Sequence, residues 1–597
     1  MVNFNPTPQQ NNILGWNSNA VIIAGPGSGK TWTLAKKIQQ VIEDCREYQG
    51  VIAISYTNKA SKELEKRAKL LCYDTKQSFF STIDSFCSAE IVLSFGKRLM
   101  GTSVGTVLVE KVQDEEQERY IKAIKKAINE IIDKYSQYPI YQLHDQKICV
   151  YEELDPSYRT YLEERFLSGY FDLNLIGGMA NLILLSSKTC VRYLKAKYRY
   201  VFVDEFQDSD FEQFSLFKRL SEIGIISWAV GDFNQSIYSF KSGSPKYLEQ
   251  LTTMATFKKF DMNINHRCHP FIQNYADNFL CLRRGMNISA VPEGDSRVGR
   301  VSLTGTQYQI GYWLNEYLEK IIDISGVEKR SEIALLGRTN ETLEMISEVL
   351  TIPYRLQHKL RLNDDRSIGG NILRQLIILS FNQKEYTAKD FIENYFDSRI
   401  RGIKGNIDTV KALIKEFKRE CHNESIDVKK SEKVTGILTK IIQNIYPDYE
   451  VLDITKAACE QLINNPSLFE NFKALKEDEI QLLTIHGSKG LEFDVVLHLD
   501  LFEDMFPDFR SVGKPLKIRE DENLHYIALT RAKEYVFLIS NSIKRFYSSN
   551  NQRYYEFNKE PSPFILGAIK EYQFSFNLHN TPRQERYFSS NGINIEK

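Results

Sequence analysis

Short apolar runs recur along the chain, each closed by turn residues and followed by a stretch in which apolar positions return with helical spacing. They are AVIIA at 20–24, VIAISY at 51–56, YVFVD at 200–204, IISWAVGD at 225–232, IALL at 333–336, VVLHL at 495–499 and YVFLI at 535–539. Uninterrupted apolar strands alternating with amphipathic helices are the pattern of parallel sheets covered on both faces, so the expected fold class is α/β, with doubly wound sheets. Two stretches break this rhythm and read as helical throughout. Around Glu110 to Tyr135, Ile121, Ile124, Ile128, Ile131 and Tyr135 fall on one face, and 356–474 is rich in Lys, Glu, Asn and Ile. Both read as insertions into α/β lobes, with ordinary peripheral helices as the alternative. From about Glu556 the chain is polar and irregular, which predicts a loosely packed tail.

Composition narrows the partners. The 597 residues suffice for several domains, and 77 basic residues cancel 77 acidic ones. No bulk positive field draws such a molecule onto nucleic acid, so a nucleic-acid site must be a local groove. The nine cysteines lie far apart, with no CxxC pair and no zinc-spaced His cluster, as expected of reduced thiols. The N-terminus lacks a basic-then-apolar leader and no apolar run is long enough for a bilayer, so the expectation is a cytoplasmic protein with no membrane partner.

The chemistry concentrates in two segments. In AVIIAGPGSGKTWTLAKKI a strand runs into a turn carrying Gly25, Gly27, Ser28 and Gly29, then Lys30 and Thr31, then a helix with Leu34, Ile38, Val41 and Ile42 on one face. This is a P-loop, although Ala24 stands where the strict pattern has Gly. Its backbone N–H groups and the helix N-terminus cradle the β- and γ-phosphates of ATP, Lys30 supplies positive charge, and Thr31 ligates Mg²⁺. VFVDEFQDS ends a second strand in carboxylates: Asp204 to hold Mg²⁺, and Glu205 to accept a proton from the attacking water.

Around these segments stand TPQQ (7–10), SYTNKASKELEKR (55–67), STIDSF (81–86), VGDFNQSIYSF (230–240), NINHR (263–267), LLTIHGSKGLEF (482–493) and YIALTRAK (526–533). Their order resembles, end to end, the motif series of UvrD/Rep/PcrA-type superfamily 1 DNA helicases. The resemblance implies two RecA-like lobes: residues 1–105 with 190–258, interrupted by a helical insertion at 106–189, and 259–355 with 475–555, interrupted by another at 356–474, leaving 556–597 as the tail. It further implies that ATP lies between the lobes, with Gln10 on the adenine edge, Gln235 sensing the γ-phosphate and Glu492 near the ribose. Arg267 and Arg531 would reach over from the second lobe as arginine fingers. In the family the base lies between an arginine and a tyrosine; Trp32 and His266 occupy those places here, which predicts an aromatic adenine clamp, with Trp32 turned into the core as the alternative.

The same resemblance implies single-stranded DNA or a tailed duplex as the track. Thr57, Asn58, Thr82, Ser85, Thr484, His486 and Lys489 are the candidates for backbone contact, and Tyr238 and Phe240 for stacking on bases. Asp84 and FKSG depart from the family's usual His and FRGA, and the insertion at 356–474 is short, which favours translocation over processive unwinding. The expected function is an ATP-dependent, 3′ to 5′ helicase or translocase in DNA repair or anti-phage defence. The rival is a nucleotide-gated subunit that switches a partner nuclease without unwinding DNA. The compact layout resembles helicase subunits of Gabija-type defence systems, which pair with an OLD-family TOPRIM nuclease.

Overall fold

The apolar runs form the inner strands of two parallel sheets. The computed structural model describes residues 5–55, 58–72, 74–102, 107–111, 114–237, 243–396, 403–423, 428–548 and 552–575. The chain divides into two units, Met1–Cys268 with Lys514–Thr530, and His269–Gly513 with Arg531–Lys597.

In the first unit the strands are β1 (Ala20–Ala24), β2 (Gly50–Ile54), β3 (Phe79–Ser81), β4 (Leu108–Glu110), β5 (Tyr170–Asp172), β6 (Tyr198–Val203), β7 (Ile226–Gly231) and β8 (Lys258–Met262). Six of them make a sheet in the order β3-β2-β6-β7-β1-β8, all pairs parallel. Val21, Ile22, Val51, Ile52, Val201 and Phe202 have almost no exposure, because helices cover both faces. The helix Lys30–Glu43 buries Leu34, Ile38, Val41 and Ile42 against this sheet, as its spacing predicts. The expected lobe boundary at 258/259 is corrected: it cuts into β8, which pairs with β1 from Ala20↔Lys258 to Ala24↔Met262 and keeps the chain in the first unit to Cys268.

The insertion at 106–189 is mainly helical, with a small parallel ribbon of β4 and β5. Its longest helix, Glu115–Lys134, starts at an Asp114 cap and buries Ile121, Ile124, Ile128 and Ile132. Ile132 joins the inner face, and the expected Ile131 packs partly buried against the same core, since positions three and four residues beyond Ile128 share its face.

The second unit contains β9 (Val298–Leu303), β10 (Ile333–Gly337), β11 (Tyr354–Leu356), β12 (Ile480–Thr484), β13 (Phe493–His498), β14 (Ala532–Asn541), β15 (Ile543–Ser548), β16 (Arg553–Asn558) and β17 (Phe574–Ser575). Its parallel sheet has the order β11-β12-β10-β13-β14-β9-β17, and β15 and β16 form an antiparallel hairpin. Among the described residues, five helices lie between Ile368 and Asn464, in the stretch expected as the second insertion. The tail expectation is corrected up to Ser575: Phe564 and Ile565 are buried and β17 pairs with β9. Among the described residues no helix is long and apolar enough to cross a membrane.

Candidate nucleotide site

Three adjacent strands of the first sheet, β6, β7 and β1, end side by side, and the chain leaves each of them with chemistry in hand. Neighbouring strands lie about 4.8 Å apart, so the loops after β6 and β1 open within roughly 10 Å of each other. After β1 the turn bends through Gly27 (φ +66°) and Gly29 (φ +82°) into the helix that begins at Lys30. Both positions are left-handed, and Gly27 is also tightly walled: a Cβ there would lie 2.2 Å from Asn265 Oδ1 and 2.6 Å from Arg267 Cβ. Gly25 donates its N–H to Met262 O at 3.0 Å, and the Ser28 hydroxyl donates to Gly25 O at 2.8 Å, fixing the turn. Thr31 follows Lys30 in the first helical turn, half-buried.

After β6, Asp204 is nearly buried and its Oδ1 accepts the Glu205 N–H at 2.9 Å. Glu205 adopts the left-handed conformation (φ +57°), an unusual state for a side chain of this size and a local strain on the order of 1–2 kcal/mol. That turn sets its carboxylate between two donors. Lys30 Nζ lies 4.0 Å from one oxygen, and Gln207 Nε2 donates to the other at 2.6 Å. Gln207 has no exposed surface, and its Oε1 accepts the Asp232 N–H at 2.9 Å after β7. Asp232 Oδ2 in turn accepts from Gln235 Nε2 at 2.7 Å. Burial pushes the Asp232 carboxyl above its usual range, against the opposing pull of Lys30. Lys30, Glu205, Gln207, Asp232 and Gln235 thus form one continuous polar chain.

Sequence reading placed Lys30, Asp204, Glu205 and Gln235 in the site and gave Gln207 and Asp232 no role, though both lie inside the quoted motifs. Gln10 lies against the P-loop. It is 1% exposed, its Oε1 accepts the Thr7 N–H at 2.9 Å in a helix cap, and its Nε2 donates to Ser28 O at 3.2 Å. Its amide therefore braces the P-loop backbone in this conformation. Arg267 falls in the first unit, one residue before its boundary at Cys268, where Asn265 Oδ1 caps the Arg267 and Cys268 N–H groups at 2.7 and 3.1 Å beside Gly27. His266 is exposed and donates its N–H to Gly27 O at 2.8 Å, and Trp32, half-buried, lies outside the lobe's buried core cluster.

Residues 6–256 match the UvrD/REP helicase N-terminal domain and residues 376–543 the UvrD-like helicase C-terminal domain. The chain belongs to the UvrD/Rep-like helicases. It is similar to the Gabija protein GajB of Bacillus cereus (strain VD045), 24% identical over 88% of this chain and 94% of that protein. It also resembles the ATP-dependent DNA helicase Rep of Buchnera aphidicola, at 23% identity over 89% of this chain and 93% of that one. For the ATP-dependent DNA helicase PcrA of Staphylococcus epidermidis the identity is 23%, over 91% and 83%.

The helicase carries its remaining candidates on other loops. In the first unit Thr82 caps a short helix, accepting the Ser85 N–H at 3.4 Å, with the two hydroxyls 3.0 Å apart. Asn58 opens the helix Asn58–Leu71, while Thr57, Tyr238 and Phe240 fall outside the described residues. In the second unit Thr484 ends β12 and its hydroxyl accepts the Gly487 N–H at 3.1 Å, which folds His486 and Lys489 onto a tight half-buried turn. Glu492 is exposed just before β13. Arg531 is 2% exposed and donates to Leu491 O at 3.2 Å, tying it to the backbone just before Glu492.

Proposed function

We propose that this helicase couples ATP hydrolysis to 3′ to 5′ movement along single-stranded DNA. The observation that carries the reading is the continuous polar chain from Lys30 through Glu205, Gln207 and Asp232 to Gln235, built at the ends of adjacent strands over a P-loop. Mg²⁺, when bound, neutralises charge on the phosphate oxygens. The Thr31 hydroxyl and the Asp204 carboxylate are the groups to hold it. They suit a hard cation that takes few protein oxygens and keeps its waters. Glu205 takes the proton of the attacking water, and Gln207 holds its carboxylate in line. Lys30 neutralises Glu205 before nucleotide arrives and turns to the phosphates afterwards. Gln235 reads the terminal phosphate, and Trp32 with His266 flanks the base.

DNA as the track is supported by the family and by relatives that are DNA helicases by name. Service in anti-phage defence beside a TOPRIM-type nuclease is supported by the similarity to the Gabija protein GajB, at 24% identity over 94% of that protein. The test is strand separation by the purified chain with ATP on duplexes tailed at one end or the other. Separation of the 3′-tailed duplex alone is expected. ATP turnover that single-stranded DNA does not stimulate, with neither substrate separated, would replace the motor with the nucleotide-gated subunit. Coexpression with the candidate nuclease, read by size exclusion, tests the partnership, and elution of the two apart would end it.

A further inference from the structure

The helix Pro515–Leu529 belongs to the first unit, although the chain before and after it belongs to the second. From Asp521 to Leu529 every residue is buried, including Asp521, Glu522, Asn523 and His525. Buried polar side chains in a helix need partners, and those of Asn523 are specific. Its Nδ2 donates to Ser236 O at 2.9 Å and, at a longer 3.4 Å, to Phe233 O. These carbonyls bracket the single 3₁₀ turn Phe233–Gln235 that carries the phosphate-sensing glutamine. So short a turn supplies little of its own holding: Gln235 N–H reaches Asp232 O at 3.2 Å and Asn234 N–H reaches Asp232 Oδ1 at 2.9 Å. Asn523 is 3% exposed and its Oδ1 is buried without a hydrogen-bond partner. An apolar side chain would avoid that cost, so packing alone does not account for an amide here.

Seven residues further on, about 10 Å along the helix axis, Thr530 O accepts from Arg267 Nη1 at 3.4 Å, and Arg531 follows directly. One helix therefore touches the turn of Gln235, touches Arg267 and leads into Arg531.

We propose that Asn523 is a positioning residue that sets the Gln235 turn and, through its helix, keeps the sensor and Arg267 in register. This rests on Gln235 being the phosphate sensor. The test compares Asn523→Leu, Gln235→Ala and the double variant in DNA-stimulated ATP turnover, with binding of a fluorescent ATP analogue and thermal melting measured alongside. Misplacing a catalytic group by about an ångström costs roughly a hundredfold in rate, so a loss of roughly tenfold to a hundredfold is expected for Asn523→Leu. Analogue affinity should stay within about twofold, since the P-loop is untouched, and melting should fall by no more than several degrees, the cost of two carbonyls left without that donor. The double variant should lose no more than Gln235→Ala alone. Should Asn523→Leu fail to fold, Asn523→Ser, whose hydroxyl still donates to one carbonyl, is expected to fall between wild type and Gln235→Ala. Wild-type turnover in Asn523→Leu, or additive losses in the double variant, would overturn the positioning role. Unchanged turnover in Gln235→Ala would instead overturn the sensor reading beneath it.

Discussion

At the scale of single residues, Glu205 and Gly27 divide the work of the nucleotide site cleanly enough to be separated by mutation. In the proposed mechanism Glu205 acts on water, so Glu205→Gln should lose roughly a hundredfold or more in turnover while still binding nucleotide, the usual worth of a positioned base. Turnover within a few-fold of wild type would remove Glu205 from that role. Gly27 holds a left-handed turn against Asn265 and Arg267, where an added Cβ has no room, so Gly27→Ala should lose ATP binding itself. Unaltered affinity in a binding titration would show that the turn yields. Trp32→Ala tests the base clamp: a ring that grips ground state and transition state alike sets the apparent Michaelis constant and leaves saturated turnover near wild type. A fall in turnover at constant Michaelis constant would point to helix packing instead.

At the scale of elements, the first insertion meets its parent lobe around Glu212. The carboxylate is 4% exposed, lies 3.3 Å from Lys125 of the helix Glu115–Lys134, and fits only because Gly177 and Gly178 leave space beside it. Burial pushes its pKa up to about 7, against the pull of Lys125 and with help from Asp210. A carboxyl raised in the folded state binds more protons there than in the unfolded chain. Its contribution is therefore fully present below the ordinary value of 4.5 and is lost as pH rises towards about 7, about 3 kcal/mol in all. Denaturant melts from pH 4.5 to 7.5 should show this decline, and Glu212→Gln should flatten it. Parallel curves for the two proteins would assign the decline to other groups.

The elements also show what a sequence can and cannot reveal. The central strands were legible because burial on both faces leaves an unbroken apolar run, as in AVIIA and YVFLI. β8 was not, since an edge strand reading KKFDM keeps three of its five residues exposed and carries no such run. That omission moved the lobe boundary. The P-loop and the Asp204–Glu205 pair were legible because phosphate and metal chemistry fixes residue type and spacing within a few positions. Asn523 was invisible for the opposite reason: its partner lies 287 residues away, and nothing local marks the contact.

At the scale of the whole molecule, equal numbers of positive and negative side chains set how the DNA interaction should respond to salt. Hydroxyls and amides dominate the proposed backbone contacts, with Lys489 and His486 the only basic side chains among them. For single strands the affinity should fall with a log–log slope shallower than about −2, at roughly −0.7 per neutralised phosphate. A slope steeper than about −4 in a salt titration would reveal an unrecognised basic groove.

The late return of Lys514–Thr530 to the first unit also imposes an order of manufacture. During synthesis the ribosome completes the P-loop early, yet the helix that contacts the Gln235 turn is finished only once Thr530 has been added. Until then the carbonyls of Phe233 and Ser236 lack the donor that Asn523 supplies in the finished fold. A nascent chain arrested before that point, or a recombinant fragment ending at Cys268, should therefore hold nucleotide better than it turns it over. A synthetic peptide of residues 514–530 added in trans should recover part of the deficit, as fragment complementation does when one missing helix completes a lobe.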